Sequence, residues 1–376
     1  MTQIQVFLWG ALCDPELRAT VLGADLALTS AVLPDHSIRS NTGAGPDFLV
    51  PRQGEHVPGE YVSLNDTAHA RLALLASITG AVACEVRVLV GAQPRDATLF
   101  AVPAPDGPLC DWDRRLWHDQ LAPAMRLAVA EALSLATLHT PEVLRVRFPP
   151  LLAHAASQIR AGRENVPATL RRPAQNADVI SRQRMQPYTY FFGVQVDDLQ
   201  FRRFDGSLSP IVRRAGFVMA DAVTILPYDP VRDCVLVIEQ FRYGPFVRGV
   251  ANPWLLEPVA GRIDPGENPE QAALREMAEE THLRIGADAL VRIGTSYPSP
   301  GAITELLFNF VALCDLPDTL EGVTGLAAEA EDIRSHVIPL DRLLDMIPTN
   351  EAQNGPLIQS AYWLALNRAR LREMRS

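Results

Sequence analysis

Residues 261–283 read GRIDPGENPEQAALREMAEETHL, an order that leaves little choice of local structure. Asn268 stands where a helix N-cap belongs, Pro269 and Glu270 follow in the first turn, and Gln271 takes the place of a capping-box partner. At about 100° per residue, Leu274, Met277, Ala278 and Thr281 gather on one stripe, which predicts the packed face. Glu276, Glu279 and Glu280 gather on the opposite stripe. Taken alone, such carboxylates read as a solvated acidic face. Like charges at that spacing repel, however, unless a cation or an arginine compensates them.

The chain around this helix has 376 residues, more than one hydrophobic core usually organises, so two or three domains are expected. An apolar share of 48% with 21% charged residues excludes a largely disordered or fibrous chain. The formal charge of -10, from 44 acids against 34 bases, argues against a nucleic-acid or anionic-membrane surface and suits a cationic cofactor. Every base is arginine, which excludes a lysine Schiff base and a P-loop lysine. Five scattered cysteines without a CxxC suggest neither a disulfide framework nor a zinc ribbon. The histidines show no HxxxH or HExxH spacing. The N-terminus lacks a basic n-region, and Arg126 and Glu131 interrupt the most apolar helical run, so no membrane span and a cytoplasmic location are expected.

Strand-like runs at 4–9, 59–63, 86–90 and 97–102, with helical pieces near 14–22 and 68–77, predict a small α+β or barrel-like domain over 1–110. Ala- and Leu-rich helical runs at 114–138 and 141–159 suit a helical connector. Residues 162–187, polar and carrying Arg171, Arg172, Arg182 and Arg184, read as a linker, so that connector and linker span 111–185. Over 186–376, β runs at 222–226, 234–240, 306–313 and 337–340 alternate with helical runs at 268–281, 341–346 and 356–370, which predicts an α/β unit.

The residues flanking the acidic helix sharpen its meaning. Gly261, Glu267, Arg275-Glu276, Met277, Glu279-Glu280 and Leu283 reproduce the Nudix box GX5EX7REUXEEXGU at every place but one. An accidental match in a given register is on the order of one in ten million at typical residue usage. The chain thus resembles Nudix hydrolases, and the resemblance implies an α/β/α sandwich. Carboxylates in such number suit hard Mg2+ or Mn2+, which neutralises charge on an attacked phosphorus. Arg275 reads as a clamp that orients a glutamate. His282 stands where the family has Gly, at a position that ends the helix in a left-handed conformation, costing His roughly 1 kcal/mol.

The neighbourhood narrows the resemblance. Trp254 to Ala260 (WLLEPVA) runs into the box, Ser299-Pro300-Gly301 follows with Glu305 just beyond, and an acidic stretch at 325–333 comes later. With Ile238 to Arg242, these segments are similar to those of ADP-ribose pyrophosphatases over about 188–370. That similarity implies Mg2+ held by Glu276, Glu279, Glu280 and the carbonyl of Ala260. It also implies that Glu329 and Glu331 supply a further ligand and the group that activates water, in an order left open. Substrate contacts are implied for Arg242, Glu257, Ser299, Gly301 and Glu305, with Arg242 facing a phosphate through its planar fork. The family's homodimeric assembly is implied in the same way.

The N-terminal part resembles the gamma-glutamyl cyclotransferase-like family. Val6 to Leu12 (VFLWGAL) followed by Asp14-Pro15-Glu16 is similar to that family's opening strand and turn, and Gly59-Glu60-Tyr61 to its GxxY strand. In that family the turn offers backbone amides to a glutamyl carboxylate. Thr79 replaces the catalytic Glu, and a hydroxyl cannot carry an amine's proton at neutral pH, so that chemistry is expected to be absent. The two-part layout resembles a group of proteins labelled for tellurite resistance, a phenotype and not a mechanism. The expected reaction is Mg2+-dependent hydrolysis of ADP-ribose to AMP and ribose 5-phosphate. Another nucleoside diphosphate such as NADH or a sugar nucleotide, or an ADP-ribose sensor acting through the N-terminal domain, are the alternatives.

Overall fold

The structure, a computed structural model, describes residues 3–23, 26–320, 322–324 and 332–374. They belong to two compact units, Met1–Met219 and Ala220–Ser376.

In the first unit, strands β1 (Ile4–Trp9), β2 (Leu28–Ser40), β3 (Phe48–Leu64), β4 (Val82–Val90) and β5 (Gln93–Ala101) pair in the order β3-β1-β5-β4-β2. The long strand β2 pairs back onto β3, which closes a five-stranded barrel, and β6 (Cys110–Asp111) adds to the edge of β2. Helices α1 (Pro15–Leu22), α2 (Asp66–Thr79), α3 (Arg114–Gln120), α4 (Ala122–Leu135) and α5 (Pro141–Gly162) complete this part. The helices expected as a connector do not act as a spacer. Ala124, Ala128, Val129, Leu144 and Leu151 are buried in one cluster with Val6, Leu8, Leu17 and Leu72. Their apolar stripes gain about 25 cal/mol for each Å2 taken out of water, which a bridging helix would forgo.

Asp14 caps α1 through the Leu17 amide at 2.9 Å and pairs with Arg126 of α4 at 2.6 Å while only 3% exposed. Burial would push its carboxyl up, but the Arg126 and Leu17 hydrogen bonds hold it below the usual carboxylate range. A depressed carboxylate contributes stability that is complete above the unfolded value, about pH 4, and fades as pH falls through the folded one. Asp14→Asn keeps a capping oxygen and removes the charge. It should cost about 2 kcal/mol at pH 7 in urea denaturation, with the gap to the parent narrowing below about pH 4.

A three-stranded sheet, β7 (Val179–Thr189), β8 (Gly193–Phe201) and β9 (Val212–Val218), ends the first unit. The last third of the stretch expected as a linker, from Val179 on, is therefore strand, and the expected boundary at 185/186 falls inside β7. Two of the arginines that suggested a linker have cross-strand partners: Arg184 meets Asp197 at 3.0 Å, and Arg182 donates to Gln200 at 3.0 Å.

The second unit runs β10 (Ala222–Asp229), β11 (Cys234–Phe241), α6 (Tyr243–Arg248), β12 (Trp254–Glu257), β13 (Val259–Arg262), α7 (Pro269–Thr281), β14 (Leu290–Ser296), β15 (Leu307–Leu313), β16 (Gly322–Thr324), β17 (Ile333–Pro339), α8 (Leu340–Met346) and α9 (Gly355–Glu373). The sheet order is β14-β15-β10-β11-β17-β16, with β12 on β11 and β13 on β10. Only the β10–β15 contact among these named pairs is parallel. Strand residues alternate between faces with the period of two that the pleat imposes. Leu236, Ile238, Phe308 and Phe310 pack with Ala273 and Met277 of α7. Val235, Val237, Val311 and Leu313 pack with Leu343, Leu357 and Leu364 of α8 and α9. The sheet is thus covered by helices on both faces. Among the described residues, no helix is long and apolar enough to cross a membrane.

Candidate active site

Helix α7 begins as its sequence dictates. Asn268 Oδ1 accepts the Gln271 amide at 2.8 Å, and Gln271 Oε1 accepts the Asn268 amide at 2.9 Å. It ends at His282 with φ 59°, the left-handed conformation for which Gly is the usual residue. The packed face, however, differs from the one periodicity predicts. Ala272, Ala273, Glu276, Met277, Glu280 and Thr281 are buried, while Leu274 and Ala278 are only half-buried. The buried arc is turned by roughly 100° toward the acids, so two of the three carboxylates lie on the sheet side of the helix.

The backbone of β13 makes this burial possible. The Ala260 amide donates to Glu280 Oε2 at 3.3 Å. Gly261 lies so close that a Cβ built there would stand 1.8 Å from Glu276 Oε1, so the missing side chain leaves the space that this carboxylate fills. Glu276 and Glu280 are 9% and 4% exposed, and the Glu279 side chain is 35% exposed.

Arg275 organises the acids. Its Nε and Nη2 donate to the two oxygens of Glu267, each at 3.0 Å, and Nη2 also donates to the Arg262 carbonyl at 2.9 Å. Its Nη1 lies between Glu276 Oε1 at 2.8 Å and Glu279 Oε2 at 3.0 Å. Among the described residues, no three carboxylate, imidazole or thiol groups converge closely enough to enclose an ion. Burial pushes the Glu276 carboxyl up to about 7, although Arg275 pulls the other way. A buried carboxylate with only part of its charge compensated, beside two more and a glycine-lined recess, fits a hard divalent cation such as Mg2+.

The residues expected to contact substrate fall into two groups. Arg242 and Glu257 bond each other: Nε donates to both carboxylate oxygens, at 3.0 and 2.9 Å, and Nη2 to one at 2.5 Å. Glu257 is buried and receives further donors from Gln240 at 3.4 Å and Asn354 at 3.2 Å, while the Arg242 side chain is 40% exposed. The β11–β12 register, with Phe241 opposite Trp254 and Ile238 opposite Glu257, brings these residues together. At the other element, the Ser299 carbonyl accepts the Ala302 and Ile303 amides at 3.0 and 2.9 Å, forming a tight turn that leaves Gly301 exposed. Burial raises the Glu305 carboxyl, with Arg262 and Arg242 opposing and Asp221 adding to the rise. Arg262 therefore acts on Glu305 with its charge and on Arg275 with its carbonyl, linking the turn to the acidic helix. Glu329 and Glu331 lie outside the described residues.

Sequence reasoning assigned no role to Gln240, Asn354 or Arg262. Their positions are set by strand register and by the start of α9, and no local spacing announces them. Glu267 carried a signal, since it is one of the fixed positions of the box.

The NUDIX domain family model matches residues 219–361. The ADP-ribose pyrophosphatase of Escherichia coli (strain K12) is 34% identical over 209 residues, 56% of this chain and 96% of that protein. The ADP-ribose pyrophosphatase of Haemophilus influenzae (strain ATCC 51907 / DSM 11121 / KW20 / Rd) is 31% identical over 201 residues, 53% of this chain and 90% of its own. The GDP-mannose pyrophosphatase of Enterobacter sp. (strain 638) is 32% identical over 155 residues, 41% of this chain and 78% of its own.

Proposed function

Because the chain belongs to the Nudix hydrolase family, we propose that it hydrolyses the diphosphate of ADP-ribose to AMP and ribose 5-phosphate, with Mg2+ as cofactor. The observation that carries this reading is the acid cluster of α7 buried against Ala260 and Gly261 and held by Arg275. Glu276, Glu279, Glu280 and the Ala260 carbonyl would hold the ion, which when bound supplies charge neutralisation on the diphosphate. Arg275 holds the Glu276 and Glu279 carboxylates in place, so that little of their positioning is left to the moment of reaction. Arg242, anchored by Glu257, turns a half-exposed guanidinium toward a substrate phosphate. Glu329 or Glu331 takes the proton of the attacking water.

Water activation matters mainly in the transition state, so replacing that residue should lower kcat and leave KM nearly unchanged. Of Glu329→Gln and Glu331→Gln, at least one is expected to reduce kcat by on the order of a hundredfold, within the range that general base catalysis contributes. Steady-state kinetics on ADP-ribose check this. If neither matters, the water is activated elsewhere, with Glu279 the next candidate.

A second reading takes a sugar nucleotide as substrate, and the 32% identity to a GDP-mannose pyrophosphatase favours it. The box determines the phosphate chemistry and not the group beyond it. Values of kcat/KM for ADP-ribose, GDP-mannose and NADH separate the readings. The proposal expects ADP-ribose to lead, and a lead for GDP-mannose would replace it with the second reading.

A further inference from the structure

The first unit carries a cavity of about 560 Å3 that the diphosphate chemistry does not use. Its size falls in the range of small-molecule sites, roughly 300–1,000 Å3. The walls come from β1, β5, α2, α4 and α5 and are mostly apolar, with Trp9, Leu72, Phe100, Val129 and Phe148 among them. Among the described residues that line it, Asp47 is the only acid and Arg145 the only base.

The placement of Asp47 is specific. Its Oδ2 accepts the Ala11 amide at 2.8 Å, in the turn that follows β1. Gly10 has φ 55°, and a Cβ there would stand 1.8 Å from the same oxygen, so this glycine makes room for the carboxylate. The Ala11 amide, in the turn whose amides the cyclotransferase-like resemblance would offer to a ligand's carboxylate, is therefore already bonded to one of the chain's own. Burial pushes the Asp47 carboxyl up, against the pull of the Ala11 amide and its own. Among the described residues no arginine or histidine pairs with it. Arg145 donates its Nε to the Ser77 carbonyl at 3.0 Å. The Ala11 amide satisfies one oxygen, but among the described residues no cation offsets the charge of this carboxylate in its mostly apolar cavity.

We propose that this cavity binds a small hydrophobic primary amine, whose apolar body fills the space between β1, α2, α4 and α5 and whose ammonium pairs with Asp47. The site is one of binding alone, since Thr79 spends its hydroxyl proton on the Leu75 carbonyl at 3.0 Å and offers no carboxylate for proton transfer. The inference is independent of the diphosphate chemistry.

Titration calorimetry on the full chain with 4-phenylbutylamine, 4-phenylbutanoate and 4-phenylbutan-1-ol tests it, since the three probes share a body and differ in the head group. The amine should bind at least tenfold tighter than the other two. Asp47→Asn should weaken the amine at least tenfold and erase its lead. Ala76→Leu, which narrows the cavity from α2 and leaves Asp47 untouched, should weaken all three. Far-UV circular dichroism establishes that each variant is folded. If Asp47→Asn does not fold, the probe comparison and Ala76→Leu still decide. Equal binding of the amine and either other probe, unchanged amine binding in folded Asp47→Asn, or no saturable amine binding would overturn the proposal. ADP-ribose turnover is read separately, so either reading can fail without the other.

Discussion

Glu280→Gln is expected to lower ADP-ribose turnover by on the order of a thousandfold, equivalent to about 4 kcal/mol of transition-state stabilisation. Glu280 is 4% exposed, and its Oε2 meets the Ala260 amide at 3.3 Å, beside the carbonyl assigned to the ion. Gln has the same shape and retains a carbonyl oxygen for that amide, so packing survives while one negative charge is lost from a cluster meant to bind a cation. Single-turnover kinetics across a Mg2+ titration check this, with circular dichroism to show an intact fold. A variant within threefold of the parent at every Mg2+ concentration would remove Glu280 from the ligand set.

Gly261→Ala is the second large effect. The added methyl would stand 1.8 Å from Glu276 Oε1 and 1.9 Å from its Cδ, distances no packed atoms sustain. Something must move, and the helix is pinned by Ala273 and Met277 in the core beneath the sheet. The Glu276 carboxylate therefore swings out, leaving Arg275 Nη1 with only Glu279 of its two helix partners. Turnover should fall by at least about a hundredfold, since a misplacement near 1 Å at a positioned group already costs that much. The fold should survive, because a displaced acid gains solvent. Near-parental kcat/KM in this variant would mean that the recess beside Gly261 is not where Glu276 works.

The parts of this architecture legible in the sequence are those whose causes are local. The cap at Asn268 and Gln271, the left-handed end at His282 and the β runs of the second unit depend on residues within a few positions of one another. The face of α7 is only partly legible because hydropathy assigns Leu274 to the core and Glu276 to water, whereas Gly261 and Arg275 let Glu276 be buried and leave Leu274 half-buried. Strand β2 and the first half of β3 escaped notice because Pro34, Pro51 and Pro58 punctuate them, and their pairing with each other and with the rest of the barrel is long-range. Strand β7 was hidden by its arginines, whose partners Asp197 and Gln200 lie on the next strand. The Arg242–Glu257 pair depends on the register of β11 and β12, which no spacing reveals.

The measurement that bears most directly on the central assignment is product analysis of ADP-ribose incubated with the full chain, with Mg2+ and again with excess chelator. Equal amounts of AMP and ribose 5-phosphate are expected with Mg2+, and neither with chelator. Turnover that persists in chelator, or intact ADP-ribose after incubation with Mg2+, would contradict it.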